Sequence, residues 1–173
     1  MVRGQKNPAH VGLPSRLKAA RRLGDIKHRP LANAAHIAPS TVGAIERGLQ
    51  IPTVGKIAQL ASALRVSAAW LGFGIGDMLT EDAIATCEGM GERLQAVRVE
   101  RAVSKAELGR LAGLTAPSIT QIEKGGQSGV EVIEAIAQVL GVSPGWLAFG
   151  IGTQTPFAPR RGRPPAQSSA PVD

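Results

Sequence analysis

The stretch LGRLAGLTAPSITQIEKG, residues 108–125, decides the fold. Leu108, Leu111 and Ala112 recur at helical spacing, which predicts a helix with these three residues on its buried face. Gly113 follows them and reaches a left-handed conformation at little cost, so it is expected to end this helix in a tight turn. The pattern therefore predicts a first helix followed by a sharp change of direction.

A second short helix is predicted after that turn. Thr115 is placed to cap it, Ile119 and Ile122 are expected to face inward, and Gly125 is expected to end it. The residues left facing outward are Ala116, Ser118, Thr120, Gln121 and Lys124.

A helix, a glycine turn and a second helix that closes on Ile122-Glu123-Lys124-Gly125 resemble the phage repressor and Cro family of helix-turn-helix proteins, also described as XRE or lambda-repressor-like. The resemblance implies an all-α fold in which the second helix of the motif lies in the major groove of double-stranded DNA. An ordinary helical hairpin is the alternative for this stretch taken alone.

The same pattern occurs twice in the chain. A shift of 77 places Arg21 on Arg98 and Glu46 on Glu123, and after one residue is dropped a shift of 76 places residues 70–76 on residues 146–152. A period this long accommodates a complete helical bundle in each copy. The sequence therefore predicts two tandem five-helix lambda-repressor-like DNA-binding domains with disordered termini.

The predicted division of the chain has five parts. They are a basic disordered arm at 1–12, a first domain at 13–76, a linker at 77–89 that is either coil or helix, a second domain at 90–152, and a disordered, basic, Pro-rich tail at 153–173. Helix 1 is predicted from Ser15 to Leu23 with Leu23 inward and Arg16 outward, and the first recognition helix from Pro39 to Glu46. Cys87 is interpreted as an inert helix residue.

Charge is divided unevenly between the two copies. The chain of 173 residues has a net charge of +7, which suits a polyanionic partner. Residues 1–76 contain 11 Lys or Arg and 2 acidic residues, whereas residues 77–152 contain 6 and 10. Each phosphate that a cation neutralises releases counterions, so we expect the first copy to supply more of the affinity.

The cellular setting is predicted from three features. A single cysteine excludes an internal disulfide and is typical of a reducing cytoplasm. No apolar run is long enough to span a membrane and no signal-peptide pattern is present, so no membrane association is expected. The expected location is the cytoplasm, associated with the nucleoid of a bacterial cell because of the family resemblance.

The two recognition helices offer different base-reading candidates. Readout in the major groove relies on long forked donors and acceptors, such as Arg, Lys, Asn and Gln. The second helix provides Gln121, whereas the first exposes short residues, including Pro39 and Gly43, so more sequence preference is expected from the second copy. The base-reading candidates are Ala116, Ser118, Thr120 and Gln121 in the second copy and Ser40, Thr41 and Ala44 in the first.

Other roles follow from the position of charged residues or from the resemblance. The resemblance implies structural ion pairs between Arg21 and Glu46 and between Arg98 and Glu123, and it places Lys105 and His28 where the family often has a phosphate-binding glutamine. The phosphate-contact candidates are Lys105, Lys124, Arg47, His28, Lys18 and Arg22.

The tail contains a short basic motif. Residues 159–165, PRRGRPP, resemble an AT-hook, which implies that Arg161, Gly162 and Arg163 contact a narrow minor groove. Nonspecific attraction to phosphate and a contribution to solubility are the alternatives.

The functional prediction is a sequence-specific transcriptional regulator, a repressor that occupies double-stranded operator DNA. The alternatives are a protein-interaction module, such as an antitoxin or anti-repressor, and an architectural binder of A·T-rich DNA. The sequence predicts no enzymatic activity, no cofactor, no metal site and no small-molecule ligand. Oligomeric state is open, with a homodimer among the options.

Overall fold

The computed structural model describes residues 12–79 and 87–155, which form ten α-helices in two units of five. The first unit contains α1 Gly12–Leu23, α2 His28–Ala34, α3 Pro39–Glu46, α4 Val54–Leu64 and α5 Ala68–Phe73. The second contains α6 Met90–Glu100, α7 Lys105–Ala112, α8 Ala116–Glu123, α9 Val130–Leu140 and α10 Pro144–Phe149. The predicted all-α fold with two five-helix units is confirmed. Most of the predicted arm, linker and tail lies outside the described residues.

Each unit has an apolar core to which all five helices contribute. In the first unit Leu17, Leu31, Ile45, Ile57 and Leu71 are fully buried. The second unit buries the equivalent residues Leu94, Leu108, Ile122, Ile133 and Leu147. Burial of several such side chains in a unit of this size is the main favourable contribution to its folding. The repeat in the sequence is therefore a repeat of the core.

The last helix of each unit begins in the same way. The Ser67 hydroxyl accepts a hydrogen bond from the Trp70 amide, and the Ser143 hydroxyl accepts one from the Trp146 amide, as expected for N-caps. Both tryptophans are partly buried against the core. The Ser67 amide also donates to the Met78 carbonyl, so the chain that leaves α5 returns to the N-cap of that helix.

The expected burial of Leu23 and Leu111 and the expected exposure of Gly43 are wrong. Helix α1 begins at Gly12, and Leu23 at its last residue is 70% exposed because the packed part of the helix ends earlier. Leu111 is 49% exposed and does not belong to the core. Gly43, which was expected to face outward, is buried in α3.

The helical pattern had suggested that Arg16 points into solvent, but it does not. Its Nε donates to the Leu71 carbonyl and its Nη2 to the Gly72 carbonyl, each at 3.0 Å. Arg93 makes the equivalent bonds in the second unit, to the carbonyls of Leu147 and Ala148. Each arginine therefore ties the first helix of its unit to carbonyls of the last helix, which lack intrahelical partners.

The two units pack against each other through equivalent positions. An antiparallel β-bridge pairs Thr53 with Gly129, and the Phe73 and Phe149 rings lie 6.0 Å apart between centroids. In both pairs the partners are 76 residues apart, which is the offset of this part of the repeat. The hydrogen bonds that flank the bridge are also reciprocal, since the Val54 amide donates to the Ser128 carbonyl and the Val130 amide to the Pro52 carbonyl.

Helices α5 and α10 form the centre of this pairing interface. A methyl group added at Gly145 in α10 would lie 2.8 Å from Cβ of Ala69 in α5, and these two positions are again 76 residues apart. Contacts between a position and its own equivalent are the pattern of an isologous two-fold interface. The chain is therefore arranged as a pseudo-two-fold pair of units.

Candidate DNA-binding surface

The helix-turn-helix of the second unit comprises α7, the turn at 113–115 and α8. Gly113 ends α7 with a φ of +70°, in the left-handed region that favours glycine. The Thr115 hydroxyl then accepts a hydrogen bond from the Ser118 amide and caps α8. A methyl group at Gly109 would lie 2.9 Å from the Leu114 carbonyl oxygen, so this glycine lets the turn pack closely on α7.

The helix-turn-helix of the first unit has the same course but less local support. Its turn residue is His36, which adopts a φ of +52° despite having a side chain. Ala38 occupies the N-cap position of α3 and provides no side-chain cap. The turn is nevertheless closed by the bond from the Ile37 amide to the Ala32 carbonyl, at 2.9 Å.

The two expected Arg–Glu pairs are formed. Arg21 Nε donates to Glu46 Oε1 at 2.6 Å, and Arg21 Nη2 donates to Oε2 at 3.1 Å. Arg98 Nε donates to Glu123 Oε1 at 2.7 Å. Each glutamate is the last residue of its recognition helix, so the pairs connect α1 to α3 and α6 to α8.

A second side chain contacts each of these glutamates. His28 Nε2 lies 2.9 Å from Glu46 Oε2, and Lys105 Nζ lies 2.9 Å from Glu123 Oε2. Both residues were phosphate-contact candidates, and both lie at the N-terminus of the helix that precedes the recognition helix. They are partly exposed, so they border the surface while also holding the recognition helix in place.

The carboxyls of Glu46 and Glu123 are buried and charged, with side chains only 7% and 4% exposed. Burial alone raises the pKa of Glu46, but hydrogen bonds from Arg21 and His28 outweigh it and hold that pKa below its ordinary value. Arg98 and Lys105 likewise lower the pKa of Glu123 against the effect of burial. Both carboxylates are therefore fixed structural anions at neutral pH.

The base-reading candidates on α8 differ in their surroundings. Gln121 is exposed, whereas Ala116, Ser118 and Thr120 are partly buried. Ser118 Oγ lies 2.8 Å from Thr115 Oγ1, and the Thr120 hydroxyl donates to the Ala116 carbonyl at 3.1 Å. Both hydroxyls are thus engaged within the motif, which leaves Gln121 as the long polar side chain that extends from the middle of α8.

On α3 the candidates are short side chains, with Ser40 exposed and Thr41 and Ala44 partly buried. Arg47 lies just beyond the helix, and its guanidinium covers Gly43, since a methyl group added there would be 3.1 Å from Arg47 Nη1. An arginine side chain therefore lies along the middle of α3, where sequence reasoning had expected a smooth surface.

The other phosphate-contact candidates lie on exposed positions. Lys18 and Arg22 are exposed on α1, and Lys124 is exposed at the C-terminus of α8. The equivalent positions in the second unit are Gln95 and Val99, so this face of α1 has cations that α6 lacks. The tail candidates Arg161, Gly162 and Arg163 lie outside the described residues.

Cys87 lies before α6 and outside any helix, contrary to expectation. It borders an open cleft of about 430 Å³, with Thr53, Lys56 and Gln127 among the other lining residues. Among residues 12–79 and 87–155, no cluster of His, Cys, Asp and Glu could hold a metal ion, and no helix is long and apolar enough to cross a membrane.

The family assignment follows from this geometry and from the sequence. The helix-turn-helix family model HTH_3 matches the chain twice, at residues 17–71 and 94–147. The chain belongs to this helix-turn-helix family. No curated protein and no solved structure matches it.

Membership gives this helix-turn-helix protein its partner class, double-stranded DNA, and makes it a DNA-binding regulator of the XRE type. Sequence reasoning missed Arg16 and Arg93, although both occur at equivalent positions of the repeat. It also missed the contact of Arg47 with Gly43, which the four-residue spacing of the two could have indicated.

Proposed function

We propose that the protein is a sequence-specific transcriptional repressor that occupies operator DNA through α3 and α8. The observation that carries this proposal is the presentation of α8. Its inner residues Ile119 and Ile122 are buried, Glu123 is anchored by Arg98 and Lys105, and Gln121 extends into solvent. A rigidly held helix with an exposed glutamine suits bidentate recognition of adenine in the major groove.

The affinity for DNA is proposed to come mainly from the first unit. Its α1 has exposed Lys18 and Arg22, where α6 of the second unit has Gln95 and Val99. Residues 1–76 contain 11 Lys or Arg against 2 acidic residues, so phosphate contacts favour this half of the chain. Repression then follows from occupancy of the operator, in the cytoplasm of a bacterial cell and at its nucleoid.

Titration with duplex DNA at several salt concentrations tests the proposal. We expect the logarithm of the binding constant to fall linearly with the logarithm of salt concentration, together with a preference for one sequence. Gln121→Ala is expected to lower discrimination at one base pair by about 1 to 3 kcal/mol with little loss of nonspecific binding. Gln138→Ala, at an exposed position of α9, is the matched control. Equal loss of specific and nonspecific binding would contradict the reading role of Gln121.

The second candidate function is a protein-interaction module, such as an antitoxin or anti-repressor. It is favoured by the acidic excess of residues 77–152, which contain 10 acidic residues and 6 Lys or Arg. A salt response that is flat and independent of sequence in the same titration would support it.

Architectural binding to A·T-rich duplex is a third candidate and depends on the tail motif. If the tail binds DNA, removal of residues 153–173 should make the plot of log binding constant against log salt concentration less steep. The expected change corresponds to the loss of about one or two phosphate contacts. An unchanged slope together with unchanged preference for A·T-rich duplex would exclude it.

A further inference from the structure

We propose that one chain binds one duplex as a pseudo-two-fold unit, with α3 and α8 on two half-sites that differ in sequence. This inference rests on the proposed function and adds to it the stoichiometry and the form of the operator. In a two-fold assembly the operator mirrors the symmetry of the protein, because each half-site meets an equivalent recognition helix. Here both equivalents belong to the same chain.

The pairing interface supports a pair formed within one chain. Thr53 with Gly129, Ala69 with Gly145 and Phe73 with Phe149 are contacts between equivalent positions, as on the axis of a homodimer. A homodimer would have the same residue on both sides of its axis. This chain has Ala69 opposite Gly145, and a second methyl group would approach the first to 2.8 Å.

The pairing also occupies the surface that a second copy would need. Ala69 is 1% exposed and Phe149 is 7% exposed, and both contact the other unit of the same chain. The main-chain groups flanking the bridge are likewise bonded within the chain, from Val54 to Ser128 and from Val130 to Pro52. Two-fold presentation of recognition helices therefore requires no second chain.

The two recognition helices present different side chains, so their half-sites should differ. Gln121 in α8 is equivalent to Ala44 in α3, and the alanine side chain has no polar group that could bond to a base edge. In α3 the guanidinium of Arg47 lies over Gly43, where α8 has Thr120. Glutamine matches adenine and arginine matches guanine in the major groove, so adenine preference is expected in the α8 half and guanine preference in the α3 half.

Selection of binding sites by the full chain from a library of random duplexes is the first experiment. We expect a non-palindromic consensus of two unlike half-sites whose centres lie about 10 bp, or a multiple of it, apart. Gln121→Ala should flatten the consensus in one half only, and Arg47→Ala in the other half only.

Stoichiometry and spacing are measured next on the selected duplex. Native mass spectrometry should show one chain per duplex. Insertion of about 5 bp between the halves, which rotates one half-site to the opposite face of the duplex, should lower affinity by about 10²- to 10⁴-fold, because only one unit then engages. A palindromic duplex built from either half alone should bind about 10-fold more weakly or worse, since one helix meets the wrong bases.

The pairing interface itself is tested by a compensated pair of variants. Gly145→Ala should weaken the dependence of affinity on half-site spacing, and Ala69→Gly combined with Gly145→Ala should restore it. If the single variant folds poorly, the double variant still tests the pairing interface, because it again has one methyl group at this contact.

The outcomes separate this inference from the proposed function. Two chains on a palindromic site, or an affinity that the 5 bp insertion leaves unchanged, would overturn the inference while leaving a DNA-binding regulator. Failure to enrich any sequence from the library would overturn the proposed function.

Discussion

The two helix-turn-helix motifs follow the same course with different local support. The second has glycine at the left-handed turn, Thr115 as the cap of its recognition helix and Lys105 as second partner of the anchored glutamate. The first has His36 and Ala38 at the equivalent turn and cap positions. The second motif is thus specified by its own residues, whereas the first depends more on packing against the rest of its unit.

The first unit, which has the weaker local support, has the more positive surface. The outer face of α1 has Lys18 and Arg22 where α6 has Gln95 and Val99, and the acidic residues are concentrated in residues 77–152. The better capped turn and the exposed cations of the first helix therefore belong to different units. The two units therefore share their core but differ at the surface and in the turns.

Removal of the anchored glutamate has the largest expected effect on either motif. Glu46→Ala and Glu123→Ala each leave a partly buried arginine without its carboxylate, and each should lower the free energy of unfolding by about 3 to 5 kcal/mol. Urea denaturation measures the loss, with Glu100→Ala at the exposed end of α6 as the control. If only one of the two glutamate variants lost more stability than the control, the two motifs would not be stabilised in the same way.

The same pairs give a pH dependence. Because the pKa of each glutamate is lowered in the folded state, its stabilisation is fully present above the ordinary value of 4.5 and is lost as the pH falls through the lowered folded value. The double variant Glu46→Ala, Glu123→Ala should therefore lose less stability than the unmodified chain between neutral pH and pH 3. Equal losses would show that other groups control the acid transition.

Crowding the axis of the pairing interface has the next largest effect. Gly145→Ala introduces a methyl group 2.8 Å from Cβ of Ala69 and should cost about 1 to 3 kcal/mol in urea denaturation. Adding Ala69→Gly should recover most of the loss. No recovery in the double variant would mean that Gly145 is needed for its own backbone rather than for the approach of α5.

Exchanging the cap residues should reduce the difference between the motifs. Thr115→Ala removes the acceptor of the Ser118 amide and should cost about 1 kcal/mol, while Ala38→Thr should add a cap to α3 and stabilise by a similar amount. Thr115→Ser and Ala38→Val are the controls. Serine keeps the hydroxyl, whereas valine has the shape of threonine but no hydroxyl. Equal stability of Ala38→Thr and Ala38→Val would contradict the capping argument.

Relief of the left-handed turn should give the smallest change. His36→Gly removes a positive φ that costs a residue with a side chain roughly 1 to 2 kcal/mol, and about half of this gain is offset by the freedom that glycine adds to the unfolded chain. Gly113→His should have the opposite effect in the second unit. A destabilised His36→Gly variant would show that the His36 side chain contributes contacts beyond its backbone conformation.

Local sequence signals predicted much of the fold. The bounds of the first recognition helix, Pro39 to Glu46, agree with α3, and the predicted cap at Thr115 is formed. These features depend on residues within a few positions of each other, so the chain itself contains the information. The repeat then extended the prediction from one unit to the other.

Errors arose where a distant element decides the environment. Helical spacing placed Leu23 and Leu111 on inward faces, but no neighbouring helix covers either of them in the described part of the chain. The spacing also placed Arg16 in solvent, although carbonyls more than 50 positions away accept its hydrogen bonds. The residue pattern of one helix does not show which other elements pack against it.

The helix-turn-helix motifs were predicted in position, but the contacts of their outward side chains were not. Sequence reasoning located both recognition helices and the Arg–Glu pairs implied by the family resemblance. It could not predict that the hydroxyls of Ser118 and Thr120 are engaged within the motif, or that Arg47 folds back over Gly43, because these depend on side-chain direction. The base-reading and phosphate-contact assignments remain predictions.

The covalent connection between the paired units has a consequence for dilution. Subunits of an ordinary dimer separate when their concentration falls below the dissociation constant, whereas two units in one polypeptide meet at an effective concentration fixed by the segment that joins them. Thr53 and Gly129 therefore stay opposite each other however few molecules are present. A cell that makes only a few copies of the chain therefore still has the two units paired in every copy.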